Sequence, residues 1–296
     1  MSQFRPVMPE TQVFKKQSQA KEVWRRFRKS KGAVAGLIIF SIILLLLLSA
    51  DFIAPYALAT KQHFAEKLQG PSFRHILGTD AYGRDFFARI VHGGRTSLTI
   101  AILATISSCI LGSALGAIAG YFGGRVDSLI MRTLDIFMSI PDILFTMAVV
   151  YALGAGFVNL LLALTLVYFT YYVRLVRSAV LNLTELDYVE AARAGGSGSA
   201  RIIITHILPN AMGVIIVNTT LNVARIILYE TTLSFLGLGM PPPAPEWGLL
   251  LSDARQYMRV APYLMFLPAM AIVLSATSVN LIGDGLRDAL DPHLKS

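Results

Sequence analysis

Charge is what this chain has least of. Of its 296 residues, 15% are charged, against about 25% in soluble domains. A large soluble enzyme is the first class excluded. Cysteine is almost absent too: Cys109 is alone, so neither an internal disulfide nor a thiolate metal cluster can form. It reads as a small packed hydrophobe. The five histidines, His63, His75, His92, His206 and His293, are scattered, and no metal site is expected. Catalytic signatures are missing as well. There is no G-x-x-x-x-G-K-[ST] phosphate loop, no H-E-x-x-H and no G-x-S-x-G. "GGSGSAR" (195–201) is glycine-rich but lacks the lysine that reaches a phosphate. The chain is therefore read as a non-enzyme without a cofactor of its own, and any ATP-derived energy has to come from a partner.

Long apolar runs stand where charge is missing. Gly32–Ala50, Thr96–Gly124, Ile143–Val173 and Val260–Gly283 are charge-free over 19, 29, 31 and 24 residues, and about 20 apolar residues span the hydrocarbon core as a helix. The first run is too long for the core of a signal peptide and no small-x-small cleavage site follows, so it is read as an uncleaved span. The third is too long for one upright helix; two spans fit if the first begins near Arg132 and the pair turns at "GAGFVN" (154–159). The expected fold is all-α and polytopic, with six transmembrane helices near 33–54, 97–121, 133–153, 158–176, 211–236 and 263–284. Lys and Arg number 17 on the side holding both termini and eight on the other. The positive-inside rule places the 17 in the cytoplasm. The net charge of +8 then reflects basic flanks such as "KEVWRRFRKSK" (21–31) beside anionic lipid, and nucleic-acid binding is not expected. The division is a cytoplasmic tail 1–32, a first span and outer loop 33–95, a five-helix core 96–290 and a short tail 291–296.

One polar segment does not fit a floppy connection. In "EAARAGGSGSARIIITHILPN", Glu190 to Asn210, good helix formers precede a glycine-serine break, and a second helix leads to Pro209. Asp187 is placed to cap the first helix or to favour its N-terminus. Glycine supports a sharp turn between the two, and Pro209 marks the start of the fifth span, where its missing N–H costs least. The product is a short stiff helix joined to a span, inside a loop 186–210. Read from the residues alone, it is either a device for moving that span or an ordinary structured loop.

The same text resembles the membrane subunits of ABC-type importers served by substrate-binding proteins. Their pattern is E-A-A, three residues, G, nine residues, I, one residue, L-P. Glu190, Ala191, Ala192, Gly196, Leu208 and Pro209 fall in register, while His206 replaces the isoleucine. "HILPN" looks like the variant of the peptide and nickel branch. "LGTDAYGRDFFARIVHGGRTSL" (77–98), "LSFLGLGMPPPAPEWGLLLSDAR" (233–255) and "NLIGDGLRDALDPHLK" (280–295) resemble, in order, the C-type dipeptide/oligopeptide/nickel permeases. The likeness covers nearly the whole chain from Lys21. It implies a type I ABC importer permease fold in a bacterial inner membrane. It also implies that the Glu190 segment is a coupling helix seated on an ATPase subunit. The implied partners are a related second permease, two ATPases that hold ATP and Mg²⁺, an extracytoplasmic binding protein, and the lipid bilayer. Dipeptides or oligopeptides are the expected cargo, with nickel or glutathione as alternatives. An ion-coupled secondary transporter is the remaining rival, but no inverted repeat is visible.

Charges inside spans are expensive and default to function. Arg225 and Glu230 are five apart and share no face, whereas Tyr229 is placed beside Arg225. Asp142 follows Pro141, which is positioned to kink a span. Asp142, Arg225 and Glu230 are expected on the translocation pathway or at the contact with the second permease. Gly112, Gly116 and Gly120 put small residues at four-residue spacing, a close-packing signal.

Overall fold

The computed structural model describes residues 19–290; the tails 1–18 and 291–296, including His293, lie outside the described residues. Among the described residues all regular elements are helical. A short α1 (Gln19–Phe27) leads through a turn to α2 (Lys31–Leu48), which Ser30 caps by accepting from the Ala33 N–H. Two small helices, α3 (Ala50–Ile53) and α4 (Tyr56–Thr60), follow. The long α5 (Phe86–Phe122) follows, then α6 (Gly124–Met138) and α7 (Asp142–Leu153). Next come α8 (Phe157–Thr184), α9 (Asp187–Ala194) and α10 (Ser199–Ile202). A π turn at Ile203–Ile207 runs into α11 (Leu208–Phe235). The chain closes with α12 (Trp247–Ala254) and α13 (Tyr263–Leu290).

Five helices are long and apolar enough to cross a membrane, and the α6–α7 pair supplies a sixth crossing if counted as one broken span. The expected span 133–153, with Pro141 placed to kink it, is two helices, α6 and α7, that meet at 82°. Pro141 explains the break, since it lacks an N–H and drives the preceding residue out of the α region.

Helix contacts fix how the chain runs. A Cβ on Gly112 would stand 2.4 Å from the Tyr172 Cβ, on Gly116 2.6 Å from the Val173 carbonyl, and on Gly120 2.9 Å from the Arg177 carbonyl. The small face therefore packs α5 on α8, and because both numberings rise together the two helices are parallel. Parallel neighbours require a return, so α6 and α7 together carry the chain back from the level of Gly120 to that of Ala101. Over about 20 residues of α5 this is ~30 Å, the hydrocarbon thickness. Arg177 grips Asp127 with both ends of its guanidinium, and Arg174 meets Asp135 at 2.5 Å, holding α6 along α8. The α2 and α13 helices are antiparallel, with Gly36 against Ser278 and Leu281 and Gly285 against Ala33. The C-terminal end of α13 lines the same groove as Asn210. Hence α1, the end of α13 and the 187–210 segment share one face of the molecule.

The opposite face is a folded layer. The predicted second span starts at 97, but α5 starts at Phe86, where Asp85 accepts from the Ala88 N–H at 2.9 Å. Its first three turns stand in this layer, which allows them charge. Arg89, 1% exposed, lies 3.3 Å from Asp80 and 3.7 Å from Asp253, and Arg84 meets Asp80 at 2.6 Å. Trp247 of α12 is buried and donates its indole N–H to the Ile90 carbonyl at 2.9 Å.

Candidate coupling segment and charged groove

The segment 187–210 is built by local rules. Asp187 is the first residue of α9; the capping position is Leu186, which makes no side-chain cap, so Asp187 acts on the helix dipole instead. Gly196 takes a φ of +78°. The Gly196 N–H donates to the Arg193 carbonyl at 3.0 Å and the Ser197 N–H to the Ala192 carbonyl at 3.1 Å. These are the paired bonds of a Schellman ending, which a left-handed residue makes possible. Gly198 then opens α10, with the Ile202 N–H reaching its carbonyl at 3.1 Å.

Pro209 stands in the first turn of α11, as expected, but no break precedes it. Helical structure is continuous from Ser199 to Phe235, over 37 residues, and Pro209 lies inside it. The preceding π turn accommodates the proline: the Leu208 N–H bonds the Ile203 carbonyl, five residues back. One extra residue in the turn shifts the donors past the position where proline has none.

The helix α9 is fastened along one side. Val189 is buried with Val176, Val180, Ile202 and Ile207, and Ala192 and Leu208 pack against that cluster. Arg193 lies over the Tyr121 ring at 5.0 Å. Asn210 donates to the Tyr188 hydroxyl at 3.2 Å and to the His206 carbonyl at 2.6 Å. The other side of α9 is free: Glu190 and Ala191 are exposed, as are Gly196 and Pro209, and His206 is half-buried. Val189, Tyr188 and Tyr121 were not singled out in the sequence, although the Val189–Ala192 spacing is the i, i+3 signature of a buried stripe.

The three charges expected in spans part company. Arg225 is exposed; its guanidinium reaches the Asn222 side-chain carbonyl at 3.4 Å and lies 5.9 Å from the Tyr171 ring centre, so its aromatic neighbour is Tyr171. Asp142 is exposed at the start of α7. One turn on, the Thr146 and Tyr229 hydroxyls are 3.1 Å apart. Glu230 is fully buried, next to Ser97, Thr231 and the equally buried Glu246. The Glu246 carboxylate accepts from the Ser234 hydroxyl and from the Met240 N–H at 2.7 Å. A helix residue and a loop residue sixteen positions on thus share one sealed polar pocket.

The chain was compared with known proteins. The description "Binding-protein-dependent transport system inner membrane component" matches residues 112–296, and "N-terminal TM domain of oligopeptide transport permease C" matches residues 18–71. A dipeptide transport system permease protein of Alkalihalophilus pseudofirmus is 44% identical over 93% of this chain and 90% of its own. A di/tripeptide transport system permease protein of Pseudomonas aeruginosa is 42% identical over 94% of each chain. A glutathione transport system permease protein of Pectobacterium atrosepticum is 40% identical over 93% of this chain and 92% of its own. The multi-span helical architecture, the Glu190–Pro209 segment and these matches agree: the chain belongs to the family of binding-protein-dependent transport system inner membrane components, and it is a transport permease subunit.

Proposed function

We propose that this chain is one half of the conducting pathway of an ATP-driven importer that takes up dipeptides and oligopeptides. Its cargo arrives from an extracytoplasmic binding protein. Its other half is a related second permease subunit, and two ATPase subunits hold ATP and Mg²⁺. The face carrying α1, α9 and the end of α13 is cytoplasmic in this reading, which the excess of Lys and Arg there supports. Residues 33–95 then form a peripheral helix with an outer loop, and 96–290 form the core between tails 1–32 and 291–296.

One observation carries the mechanical part of this reading. The helix α9 presents Glu190 and Ala191 outward while Val189 and Ala192 fasten it to the base of a 37-residue helix. The motif residues Gly196, His206, Leu208 and Pro209 make the turn and the joint. A push on α9 from a closing ATPase is thereby delivered to the span itself. ATP and cargo drive alternating access only by binding one conformation better than the other, and such a joint links the two preferences. Asp142 and Arg225 are assigned to the pathway at the interface of the two permeases.

The relatives' names support peptides, and the glutathione permease among them supports a second reading in which the cargo is that tripeptide. Deleting the gene and measuring uptake of a labelled dipeptide, a pentapeptide, glutathione and nickel ion, with a complemented strain, tests both. Loss of dipeptide or pentapeptide uptake is the expected result. Loss of glutathione alone selects the second reading, and loss of nickel alone overturns the cargo assignment.

A further inference from the structure

An open groove runs along α11, lined by Asn210, Gly213, Asn218, Leu221, Arg225 and, from α13, Arg287. It contains two guanidinium groups and no carboxylate, and among the described residues neither arginine forms an ion pair. Arg225 lies deep. Along α11 it falls between Thr219, which reaches Cys109 of α5 at 3.4 Å, and Glu230, which sits beside Ser97. That stretch of α5 is charge-free, so Arg225 stands at the depth of the hydrocarbon. An arginine facing lipid there costs about 2.5–3.5 kcal/mol on insertion scales. An exposed, unpaired guanidinium at that level is therefore turned to a watery path.

Its surroundings are polar and aromatic. The Tyr171 hydroxyl donates to the Asn218 side-chain carbonyl at 2.7 Å, and the single hydrogen bond of Arg225, to Asn222, is a long 3.4 Å. Most of its fork is left to accept a carboxylate, which matches that geometry with two parallel bonds. Asp142, outside this lining on α7, is also exposed and without an ion pair among the described residues, and it is the counterpart. Tyr168 packs edge-on against Tyr229 with ring centres 5.9 Å apart, and Tyr229, one turn from Arg225 on α11, meets Thr146, one turn from Asp142 on α7. One anion and one cation thus flank a cluster of tyrosines.

We infer that Asp142 and Arg225 form a station for a zwitterion in the pathway: Arg225 takes the C-terminal carboxylate of the passing peptide and Asp142 its N-terminal ammonium. The tyrosines between them supply an aromatic wall indifferent to side-chain identity. A free peptide has both charged ends whatever its sequence, whereas a metal ion has neither. The inference rests on the reading of the chain as a peptide permease.

The test uses the purified complex of both permeases and their ATPases in lipid nanodiscs, without binding protein. The probes are L-alanyl-L-alanine, its C-terminal amide and its N-acetyl derivative, followed by saturation-transfer NMR. The expected result is a preference for the free dipeptide over each derivative of about tenfold, the scale of one charge-assisted contact. Arg225→Gln should abolish the preference over the amide alone, Asp142→Asn that over the N-acetyl form alone, and Arg225→Lys should retain most of the first. Equal binding of all three probes by the parent complex overturns the station. So does a uniform loss in Arg225→Gln, or dissociation of the permease pair on gel filtration of that variant, which would make Arg225 a subunit contact. ATP-driven uptake of the dipeptide, measured in vesicles with binding protein added, separates the two ideas. Intact uptake with no terminus preference removes the station and keeps the peptide reading; no uptake removes the peptide reading itself.

Discussion

Gly196 allows the sharpest test of the coupling segment, because its substitution has a conformational cost and no steric one. At φ +78° it occupies the left-handed region, and a Cβ built there meets nothing within 4 Å. An L-residue in that region costs about 1–2 kcal/mol, while asparagine tolerates it better and a β-branched residue worse. Gly196→Asn, Gly196→Ala and Gly196→Val therefore form a series of rising strain at one open site. A loss of 1–2 kcal/mol shifts a local equilibrium by a factor of about 5–30, here between α9 docked through Val189 and α9 swung loose. Gly198 is the control: its φ of −66° suits any residue, and its Cβ space is also empty. The assay is dipeptide uptake per ATP hydrolysed in proteoliposomes with binding protein. The ratio should fall in the order Asn, Ala, Val, with Gly198→Ala near the parent. A Val variant with parental coupling at normal assembly, or an Asn variant as poor as Val, would refute the reasoning.

Three further outcomes follow from packing and burial. Gly112→Val forces a Cβ into the 2.4 Å approach of Tyr172, so overpacking of about 1–3 kcal/mol should lower the thermal midpoint of the purified complex. Arg89→Met removes one of the two arginines that the buried Asp80 and the half-buried Asp253 share, leaving Arg84, a loss of about 1–3 kcal/mol that limited proteolysis of the 54–85 layer should expose. Burial already pushes the Asp253 carboxyl up, with Arg89 and Arg84 holding it down. Without Arg89 it rises further, the native layer binds more protons than the unfolded one, and protease resistance should return as pH falls. Glu246→Ala strands the Met240 N–H and the Ser234 hydroxyl and should cost about 1–3 kcal/mol. Glu230→Gln removes one of two neighbouring buried carboxyls and should cost less; equal losses in thermal unfolding would sink this account.

What could be read from residues in order was read, and what depends on distant segments was not. Charge-free runs located the middles of the spans, because lipid excludes charge. They missed the ends, because Arg89 and Arg95 continue α5 into a folded layer where charge is permitted. The "GGSGS" break foretold a turn, and Gly196 supplies it through its own backbone. The Gly112, Gly116 and Gly120 face was legible since a period of four on a helix is local, although its partner α8 was not. Pro141 signalled the bend, but an 82° corner has the same composition as a mild kink. The π turn before Pro209 leaves no pattern in the text, and proline alone favoured a helix start. The Glu230–Glu246 pocket and the Asp80, Arg89, Asp253 group each join segments that meet only in the fold.

The helix from Ser199 to Phe235 ties the candidate coupling segment to the layer on the opposite face. At 1.5 Å per residue, its 37 residues make a rod of ~55 Å. Near its Ser199 end, Ile202, Ile207 and Ala211 are buried against the α9 cluster. Near its Phe235 end, Ser234 and Glu230 are buried against Glu246, which leads directly into Trp247 and α12. A rod packed at both ends cannot tilt at one without displacing the other, since close-packed interiors do not deform continuously. The bonds along it are helical throughout, with the π turn as the one altered step. Arg225 rides between the two clamps on the side facing the groove. On the proposed reading, a displacement begun at α9 reaches the groove and the opposite layer through one covalent element, without requiring a chain of side-chain relays.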